Sequence, residues 1–444
     1  MPWRVVARFV VRWIALAITG WLAYGLLRGL SAIVWLGVPP FDWVWYATII
    51  PLIVVPPVYL LWRLTEPRSF VVRVKSPLNL VLFGILIVAA IIGYNGFGQV
   101  VVLPLDEAKP IPIAFWTGAD FTRVPDSILE DIRAAGGRVY FGAGGYYPFD
   151  GERGLTMAAS LRRLADYSID AYLATPAGDD FLSVPVYRDW ITSTRRAAVF
   201  VQRHGLSNVR GFIGDAEPPF HSPMDFLGAQ RAEFERAVSD LRALIESVQR
   251  EYGLRIGVTS TWAQFVDTAD GDADLSIVVR SPVDPPGGWD FVNLMTYSSY
   301  FPPDWRPYTV YLLERSMARL YPSGDVSYLI GLVGGGMPGE PLLDFDELVR
   351  DARLSRALGV REIAVFQLDG ALRVFGDDFV RRLTAAVNSS QPGAAVAVPF
   401  SRPASLLFYA TAAADALLDV RGPLGWAWIA LSGMIAFRTY PKNP

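Results

Sequence analysis

Eight short apolar segments rich in β-branched and aromatic residues recur along residues 108–390, and each is followed by a stretch with the pattern of a helix. Their starts lie roughly 30 to 45 residues apart, which suits one strand and one helix with their loops. Strands that alternate with helices form a parallel sheet, and eight such units close into a barrel. The sequence therefore predicts an α/β fold, a (β/α)8 TIM barrel. The predicted strands are Ile111–Thr117, Arg138–Ala143, Ile169–Thr175, Arg210–Glu217, Arg255–Thr261, Phe291–Tyr297, Ser327–Val333 and Glu362–Asp369.

The apolar excess of the chain lies at its two ends. Hydrophobic residues make up 52% of the 444 residues, and the mean hydropathy is +0.30, more than a soluble enzyme usually carries. Within residues 1–98, three apolar runs at about 13–38, 43–62 and 78–96 are each long enough to cross a hydrocarbon core of about 30 Å as a helix. We therefore predict a helical transmembrane region before the barrel. A cleaved signal peptide is the alternative, but the first run is too long and further runs follow it.

The distribution of basic residues predicts the orientation in the membrane. Arginines precede the first apolar run, and arginines and a lysine lie between the second and third, whereas the connection between the first two carries none. The positive-inside rule then places the N-terminus in the cytoplasm. Three crossings leave the barrel outside, so we expect a multi-pass protein of the cell membrane with an extracytoplasmic barrel domain.

Residues 391–444 have the composition of a linker followed by short hydrophobic segments. A Ser-Ser-Gln-Pro-Gly cluster at 389–393 is typical of a linker. The apolar runs at 405–418 and 425–437 are both short for a full crossing. Two alternatives stay open, namely an interfacial or re-entrant pair and one tilted crossing that ends at Arg438 and Lys442.

Charge and composition exclude several classes of function. A net charge of −3 and an isoelectric point of about 5.6 provide no basic face for nucleic acid. The absence of cysteine excludes disulfides, a thiol nucleophile and cysteine-ligated metals. With His204 and His221 as the only histidines, a histidine-rich zinc site is not expected, although a hard cation could still bind carboxylates and water. We expect no cofactor.

Two carboxylates, Asp215 and Glu217, end the fourth predicted strand and are followed by two prolines. Residues two apart on a strand share a face, with Cα atoms roughly 7 Å apart. In a parallel barrel the carboxyl ends of the strands open into the active-site mouth. Two acids this close do not both ionise cheaply, so one keeps a proton near neutral pH, as glycoside cleavage requires. The alternative is a structural ion-pair hub with Arg210 or Arg373.

The fourth, sixth and eighth predicted strands end in three short motifs, Asp215-Ala-Glu217, Met295-Thr-Tyr297 and Phe366-Gln-Leu-Asp369. These strand ends resemble those of the glycoside hydrolase family 18 barrels, which include chitinases and chitinase-like proteins. In that family the fourth strand closes with Asp-x-Glu, the sixth with Met-x-Tyr, and the eighth with an aromatic, a polar and an acidic residue. The resemblance implies that Glu217 is the general acid, that Asp215 stabilises a substrate N-acetyl group acting as internal nucleophile, and that Tyr297 hydrogen-bonds this group.

The chain also departs from the family pattern. Arg210 and Ile213 hold the places of two further acids in the fourth strand, so Asp215 lacks its usual carboxylate partner. Ser298 stands where the family tyrosine is often followed by Asp, and Phe366 replaces the tryptophan of the eighth strand. These departures make the resemblance a better guide to the barrel than to chitin as its substrate.

Aromatic and polar residues at the predicted strand ends are candidates for substrate binding. Apolar platforms with a few polar groups line small-ligand clefts, and aromatic faces stack on sugar rings. Met295 is a candidate through its motif, with packing in the core as its alternative. The predicted substrate-binding residues are Trp116, Tyr146, Tyr147, His221, Trp262, Met295, Tyr300, Gln367 and Asp369.

Two functions from different classes follow. The preferred one is a membrane-tethered, extracytoplasmic glycoside hydrolase whose partners are a polysaccharide or oligosaccharide substrate and the lipid bilayer, without nucleic acid. The alternative is a catalytically inactive glycan-binding barrel in an envelope polysaccharide assembly or export system. A fold alone does not decide between them. The sequence indicates no particular protein partner.

Overall fold

The computed structural model describes residues 100–105, 109–177, 181–217, 231–261, 273–283, 288–320, 326–334, 341–389 and 394–401, together with Ala404. The chain divides into two compact units, Val100–Ser401 and the remainder, and all of these residues except Ala404 belong to the first. The predicted membrane segments at 13–38, 43–62 and 78–96, the tail segments at 405–418 and 425–437, His221 and Trp262 lie outside the described residues. Within the described ranges no helix is both long and apolar enough to cross a membrane.

A closed parallel barrel of eight strands, β2 to β9, forms the centre of the described unit. The strands follow one another around the barrel in chain order, and β9 pairs back to β2 through Ile363 and Ile113. This arrangement confirms the predicted TIM barrel, and each predicted strand overlaps one strand of the barrel. The strands of the described residues are β1 Val100–Pro104, β2 Ile113–Thr117, β3 Arg138–Gly142, β4 Asp170–Ala174, β5 Val209–Ala216, β6 Arg255–Ser260, β7 Phe291–Met295, β8 Val326–Gly331, β9 Ile363–Phe366 and β10 Ala395–Pro399.

Amphipathic helices cover the outside of the barrel. Helix α7 shows how one begins, because the Asp344 side chain accepts from the Glu347 backbone N–H while the Glu347 carboxylate accepts from the Asp344 backbone N–H. This reciprocal pair satisfies donors that the first turn leaves open. The α-helices of the described residues are α1 Asp126–Ala135, α2 Gly151–Asp166, α3 Tyr187–Arg203, α4 Arg231–Tyr252, α5 Asp274–Val278, α6 Arg306–Leu320, α7 Phe345–Ala357, α8 Leu368–Phe375 and α9 Phe379–Asn388.

Alternation along the strands separates two hydrophobic layers. In β2, Phe115 belongs to the large layer between strands and helices, whereas its neighbours Ala114 and Trp116 belong to the barrel interior. In β5, Phe212 and Ile213 divide in the same way. Successive side chains on a strand point to opposite faces, so this division identifies which residues of each strand point into the barrel. The other members of the interior layer include Tyr140, Tyr172, Phe291, Met295, Leu329 and Ala364.

Strands β1 and β10 form an antiparallel ribbon beside the barrel, with Val100 opposite Pro399 and Pro104 opposite Ala395. The ribbon therefore includes Ala395–Pro399, which lie in the region 391–444 predicted to be a linker and short hydrophobic segments. Phe400 packs on Tyr308 near the start of α6, with ring centroids 4.9 Å apart. Because a helix that follows a barrel strand starts at the carboxyl end of the strands, both ends of the described unit lie on the side of the barrel mouth.

Gly331 at the end of β8 is a position that requires glycine. Its φ is +142°, and a Cβ atom there would lie 2.4 Å from the carbonyl oxygen of Phe366. We expect Gly331→Ala to lower the free energy of unfolding by about 3 kcal/mol, because it combines backbone strain with a clash against a neighbouring strand. Urea unfolding of the full chain measures this loss. The matched control is Gly145→Ala, which meets no atom within 4 Å, and an equal loss in the control would contradict the explanation.

Candidate active site at the carboxyl ends of the barrel strands

Strand β5 carries both predicted catalytic carboxyl groups to the mouth of the barrel. Ile213 belongs to the interior layer, so Asp215, two residues further along β5, continues the same face. Asp215 belongs to the second-to-last residue pair between β5 and β6, and Glu217 directly follows the last residue of β5. Both side chains are partly exposed. The two carboxyl groups therefore belong to residues two apart at the carboxyl end of one strand.

Asp215 has an environment that favours its protonated form. Its Oδ1 atom is buried and has no hydrogen-bond partner among the described residues, and the residue below it on the interior face is the fully buried Ile213. Burial raises the pKa of Asp215 from 3.8 to about 7, because a carboxylate loses solvation there without a compensating charge. At neutral pH this carboxyl group is poised between its two forms.

The arginines that offered a structural alternative are engaged elsewhere. Arg210 Nε donates to Asp170 Oδ1 at 2.9 Å, near the amino ends of the strands. Arg373 donates to the carbonyl oxygen of Gly334 at 2.6 Å. Neither of these contacts makes Asp215 part of an ion-pair hub.

Aromatic rings from the ends of three strands pack together in the barrel interior. Phe366 at the end of β9 lies 6.2 Å from Trp116 of β2 and 6.1 Å from Tyr297, which follows β7 (ring centroids). Tyr297 lies 6.3 Å from Tyr300, whose side chain is exposed. The indole Nε1 of Trp116 is buried without a hydrogen-bond partner among the described residues. The mouth thus combines apolar ring faces with a few polar atoms, the character of a small-ligand cleft.

Other predicted substrate-binding residues lie deeper in the packing. Tyr146 stacks on Phe141 at 5.5 Å, and Tyr147 packs edge-on to Phe149 at 5.6 Å, so both contact the layer between strands and helices. The hydroxyl group of Tyr147 also accepts from Arg196 at 2.9 Å. Met295 is buried in the interior layer, where it packs with the rings of the barrel.

The eighth barrel strand is shorter than predicted. It ends at Phe366, Gln367 occupies the position before the first turn of α8, and Asp369 lies within that helix. The two side chains therefore do not continue a strand face, which corrects the predicted strand Glu362–Asp369. Thr117 Oγ1 donates to Asp369 Oδ1 at 2.8 Å, so Asp369 links the end of β2 to α8 at the rim.

Ser298, the residue that replaces the family Asp after the tyrosine, points away from the carboxyl pair. It is buried, and its hydroxyl group donates to Asp351 of α7. Burial raises the pKa of Asp351. This contact holds the turn after β7 against the surrounding helix, which is a structural role.

The structure also reveals interior polar residues that the sequence analysis missed. Thr259 of β6 lies level with Asp215 in the strand register, and Asn293 of β7 lies level with Thr259. Asn293 stands two residues before Met295, so alternation along β7 was the signal that could have identified it. Nearer the amino ends of the strands, the Tyr140 hydroxyl group donates to Glu362, which is also paired with Arg138. Burial raises the pKa of Glu362.

Among the residues that the structure describes, no group of three or more His, Asp or Glu side chains is arranged to hold a metal ion.

Comparisons with known proteins reach only the fold. No family model and no curated protein matches the sequence. Solved structures with a similar arrangement include a family 18 chitinase from Pseudoalteromonas aurantia, with 11% identity, a TM-score of 0.43, and coverage of 62% of this chain and 99% of that one. The PgaB (BpsB) glycoside hydrolase domain from Bordetella bronchiseptica has 12% identity, a TM-score of 0.41, and coverage of 64% and 100%.

A third similar structure is that of a different kind of enzyme. The probable 3-DHS dehydratase AsbF from Bacillus anthracis has 10% identity, a TM-score of 0.40, and coverage of 63% and 100%. Glycoside hydrolase barrels are among the similar structures, but so is this dehydratase at nearly the same score. A function for this chain therefore has to be argued from its own residues.

Proposed function

We propose that this chain is a glycoside hydrolase whose barrel domain is tethered to the membrane on its extracytoplasmic side. The observation that carries the proposal is the position of two carboxyl groups: Asp215 continues the interior face of β5 near its carboxyl end, and Glu217 follows the last residue of this strand. Chemistry in TIM barrels is built at this end of the strands. The aromatic rings of Trp116, Tyr297 and Phe366, which pack together near the carboxyl ends of their strands, suit the apolar faces of a sugar.

In the proposed mechanism Glu217 acts as the general acid and donates its proton to the glycosidic oxygen as the bond to the anomeric carbon breaks. Two carboxyl groups on one strand face are poorly placed to stand on opposite sides of a sugar ring. This geometry favours a nucleophile within the substrate, namely the carbonyl oxygen of an N-acetyl group. Asp215 would accept a hydrogen bond from the N–H of that group, and Tyr297 would donate one to its oxygen. N-acetylated glycans are accordingly the first substrate class to test.

A catalytically inactive glycan-binding barrel is the second candidate. The observation that favours it is Ile213, a fully buried apolar residue at the place where the resembling family has an acid beneath its Asp-x-Glu pair. Loss of that acid removes one partner that would set the charge of Asp215. A barrel of this kind would hold a polysaccharide in an envelope assembly or export system without cleaving it.

Release of reducing ends from a panel of N-acetylated and plain glycans tests the first proposal. We expect the full chain to release ends from at least one N-acetylated glycan. Release from plain glycans alone would contradict the substrate-assisted scheme and leave Asp215 as a direct nucleophile or base. Binding without release from any glycan would favour the second candidate.

The tether is tested by extraction from membranes of the expressing cell. Because the apolar runs at 13–38, 43–62 and 78–96 are each long enough to span a bilayer, we expect the chain to stay in the membrane fraction at high salt and high pH and to be released by detergent. A protein held only by charge would be released by salt. Release at high salt would contradict the predicted spans.

A further inference from the structure

A row of polar side chains follows the strand register from the mouth into the barrel. Asp215 on β5 is level with Thr259 on β6, Thr259 is level with Asn293 on β7, and Asn293 is level with Ser327 on β8. Residues that pair across parallel strands point to the same side of the sheet. That side is the interior, because Phe291 and Met295 on either side of Asn293 belong to the interior layer.

The first part of this row is buried but unsatisfied. Thr259 is 1% exposed and Asn293 is 0% exposed. Among the described residues no partner is found for Thr259 Oγ1, for Asn293 Oδ1 and Nδ2, or for Asp215 Oδ1. Buried polar atoms in folded proteins nearly always have hydrogen-bond partners, so four unpaired atoms in one row need an explanation.

At the Ser327 end of the row the polar groups have hydrogen-bond partners. The Tyr140 hydroxyl group lies 3.5 Å from Ser327 Oγ and donates to Glu362 Oε1 at 2.9 Å. Arg138 pairs with the other oxygen of Glu362. Only the part of the row next to Asp215 lacks hydrogen-bond partners, so the unpaired atoms lie at the candidate active site.

Neighbouring strands lie about 4.8 Å apart, so side chains on adjacent strands at one level are separated by a gap that a single water can bridge. Waters that make two to four hydrogen bonds to buried polar groups are ordinary components of protein interiors. Thr259 can donate to Asp215 directly or through such a water, and the Asn293 amide can hold the next water in the row.

We propose that Thr259 and Asn293 are positioning residues that hold buried water against Asp215 and thereby replace the carboxylate partner that Ile213 cannot supply. A hydroxyl group and an amide are neutral, so they orient the Asp215 carboxyl group without the repulsion of a second acid. Their hydrogen bonds stabilise its ionised form. The consequence for turnover rests on the proposed hydrolase function, whereas the effect on Asp215 itself does not.

Asp215 has one close titratable neighbour on its own strand, Glu217. The residues level with it on β6 and β7 are neutral, and Tyr297 follows β7 at the mouth. Arg280 belongs to the segment whose Ser281 hydroxyl group contacts the Ala216 carbonyl oxygen, and it pairs with Glu233 at 3.9 Å. The other charged and phenolic groups of the interior among the described residues lie toward the amino ends of the strands: Arg138, Tyr140, Tyr172, Arg255 and Glu362.

The test measures the ionisation of Asp215 in the full chain. Infrared difference spectra between the parent and Asp215→Asn isolate the carbonyl stretch of the protonated Asp215 carboxyl group, and a pH series gives its midpoint. Each of Thr259→Val and Asn293→Leu, compared with its own Asp215→Asn double variant, is expected to raise this midpoint by about half to one pH unit, because a hydrogen bond to the ionised form is lost. Thr259→Ser keeps the hydroxyl group and is expected to keep the midpoint.

Thr194→Val is the matched control, because Thr194 is a fully buried threonine of α3 that shares a hydrogen bond of 2.8 Å with Thr175. An unchanged midpoint in Thr259→Val, which is nearly isosteric and is the decisive variant if Asn293→Leu does not fold, would overturn the inference. An equal shift in Thr194→Val, or no carboxyl band in the parent, would also overturn it. Shifted midpoints in a chain that cleaves no glycan would uphold the positioning role and refute the hydrolase proposal alone.

Discussion

Glu217→Gln is expected to lower the rate of glycan cleavage by about a hundredfold or more while leaving glycan binding intact. Glutamine has nearly the shape of protonated glutamate but cannot give a proton to the leaving oxygen, and a general acid contributes roughly a hundredfold to ten-thousandfold. Glu217 directly follows β5 at the barrel mouth, so the substitution changes a partly exposed side chain rather than the core. Reducing-end release and calorimetric binding, both on the glycan that the full chain cleaves best, separate the two effects.

The matched control is Glu152→Gln, an exposed glutamate in the first turn of α2. It changes the net charge by the same amount and is expected to keep full activity. Equal activity in Glu217→Gln and the parent would remove Glu217 from the mechanism. If the parent and Glu217→Gln bind the same glycan equally and neither cleaves it, the glycan-binding candidate becomes the better explanation.

The fold was predictable because its signal is local. Each barrel strand is a short apolar run between helical segments, and that alternation is sufficient to predict eight parallel strands without knowledge of their contacts. The ends of the strands were harder to predict. The eighth predicted strand extended to Asp369, but α8 begins at Leu368, and an apolar run that passes from strand to helix carries no mark at the junction. The β1–β10 ribbon pairs residues about 300 positions apart, which no local pattern reveals.

The candidate site was predictable where one strand carries it. Asp215 lies just before the end of β5 and Glu217 just after it, so their spacing in the sequence alone keeps them close together. Thr259 and Asn293 are different, because their proximity to Asp215 depends on the register of three strands. Tyr146 and Tyr147 follow a strand end as predicted for a sugar platform, yet they contact Phe141 and Phe149 on the helix side. The sequence shows that a residue follows a strand, but not to which side its ring turns.

The electrostatics of Asp215 predict a second large effect, this time on stability. Burial raises the pKa of Asp215 from 3.8 to about 7, so the folded chain keeps a proton that the unfolded chain releases. Wherever the folded state binds more protons, stability falls as pH rises. The loss of stability caused by Asp215 begins near pH 3.8, grows until about pH 7, and is complete above that pH. A pKa shift of this size limits the stability lost through Asp215 to at most about 4 kcal/mol, and the partial exposure of the side chain makes the loss smaller.

Asp215→Asn is therefore expected to stabilise the full chain above neutral pH and to leave its stability nearly unchanged below pH 3.8, where the aspartate it replaces is neutral in both states. The free energy of unfolding, measured in urea at both ends of this range, should rise by about 2 kcal/mol in the alkaline sample only. Burial raises the pKa values of Glu314 and Glu362 as well, so the parent loses stability with rising pH at several sites, and only the difference between parent and variant isolates Asp215.

The control is Asp150→Asn, a substitution of an exposed residue at the start of α2, which should show no such difference. A variant that is destabilised in the alkaline sample alone would mean that native hydrogen bonds to the ionised carboxylate outweigh the cost of its burial, as in a structural hub. Stabilisation confined to high pH, together with loss of glycan cleavage, is the combination expected of a carboxyl group whose unfavourable burial serves catalysis.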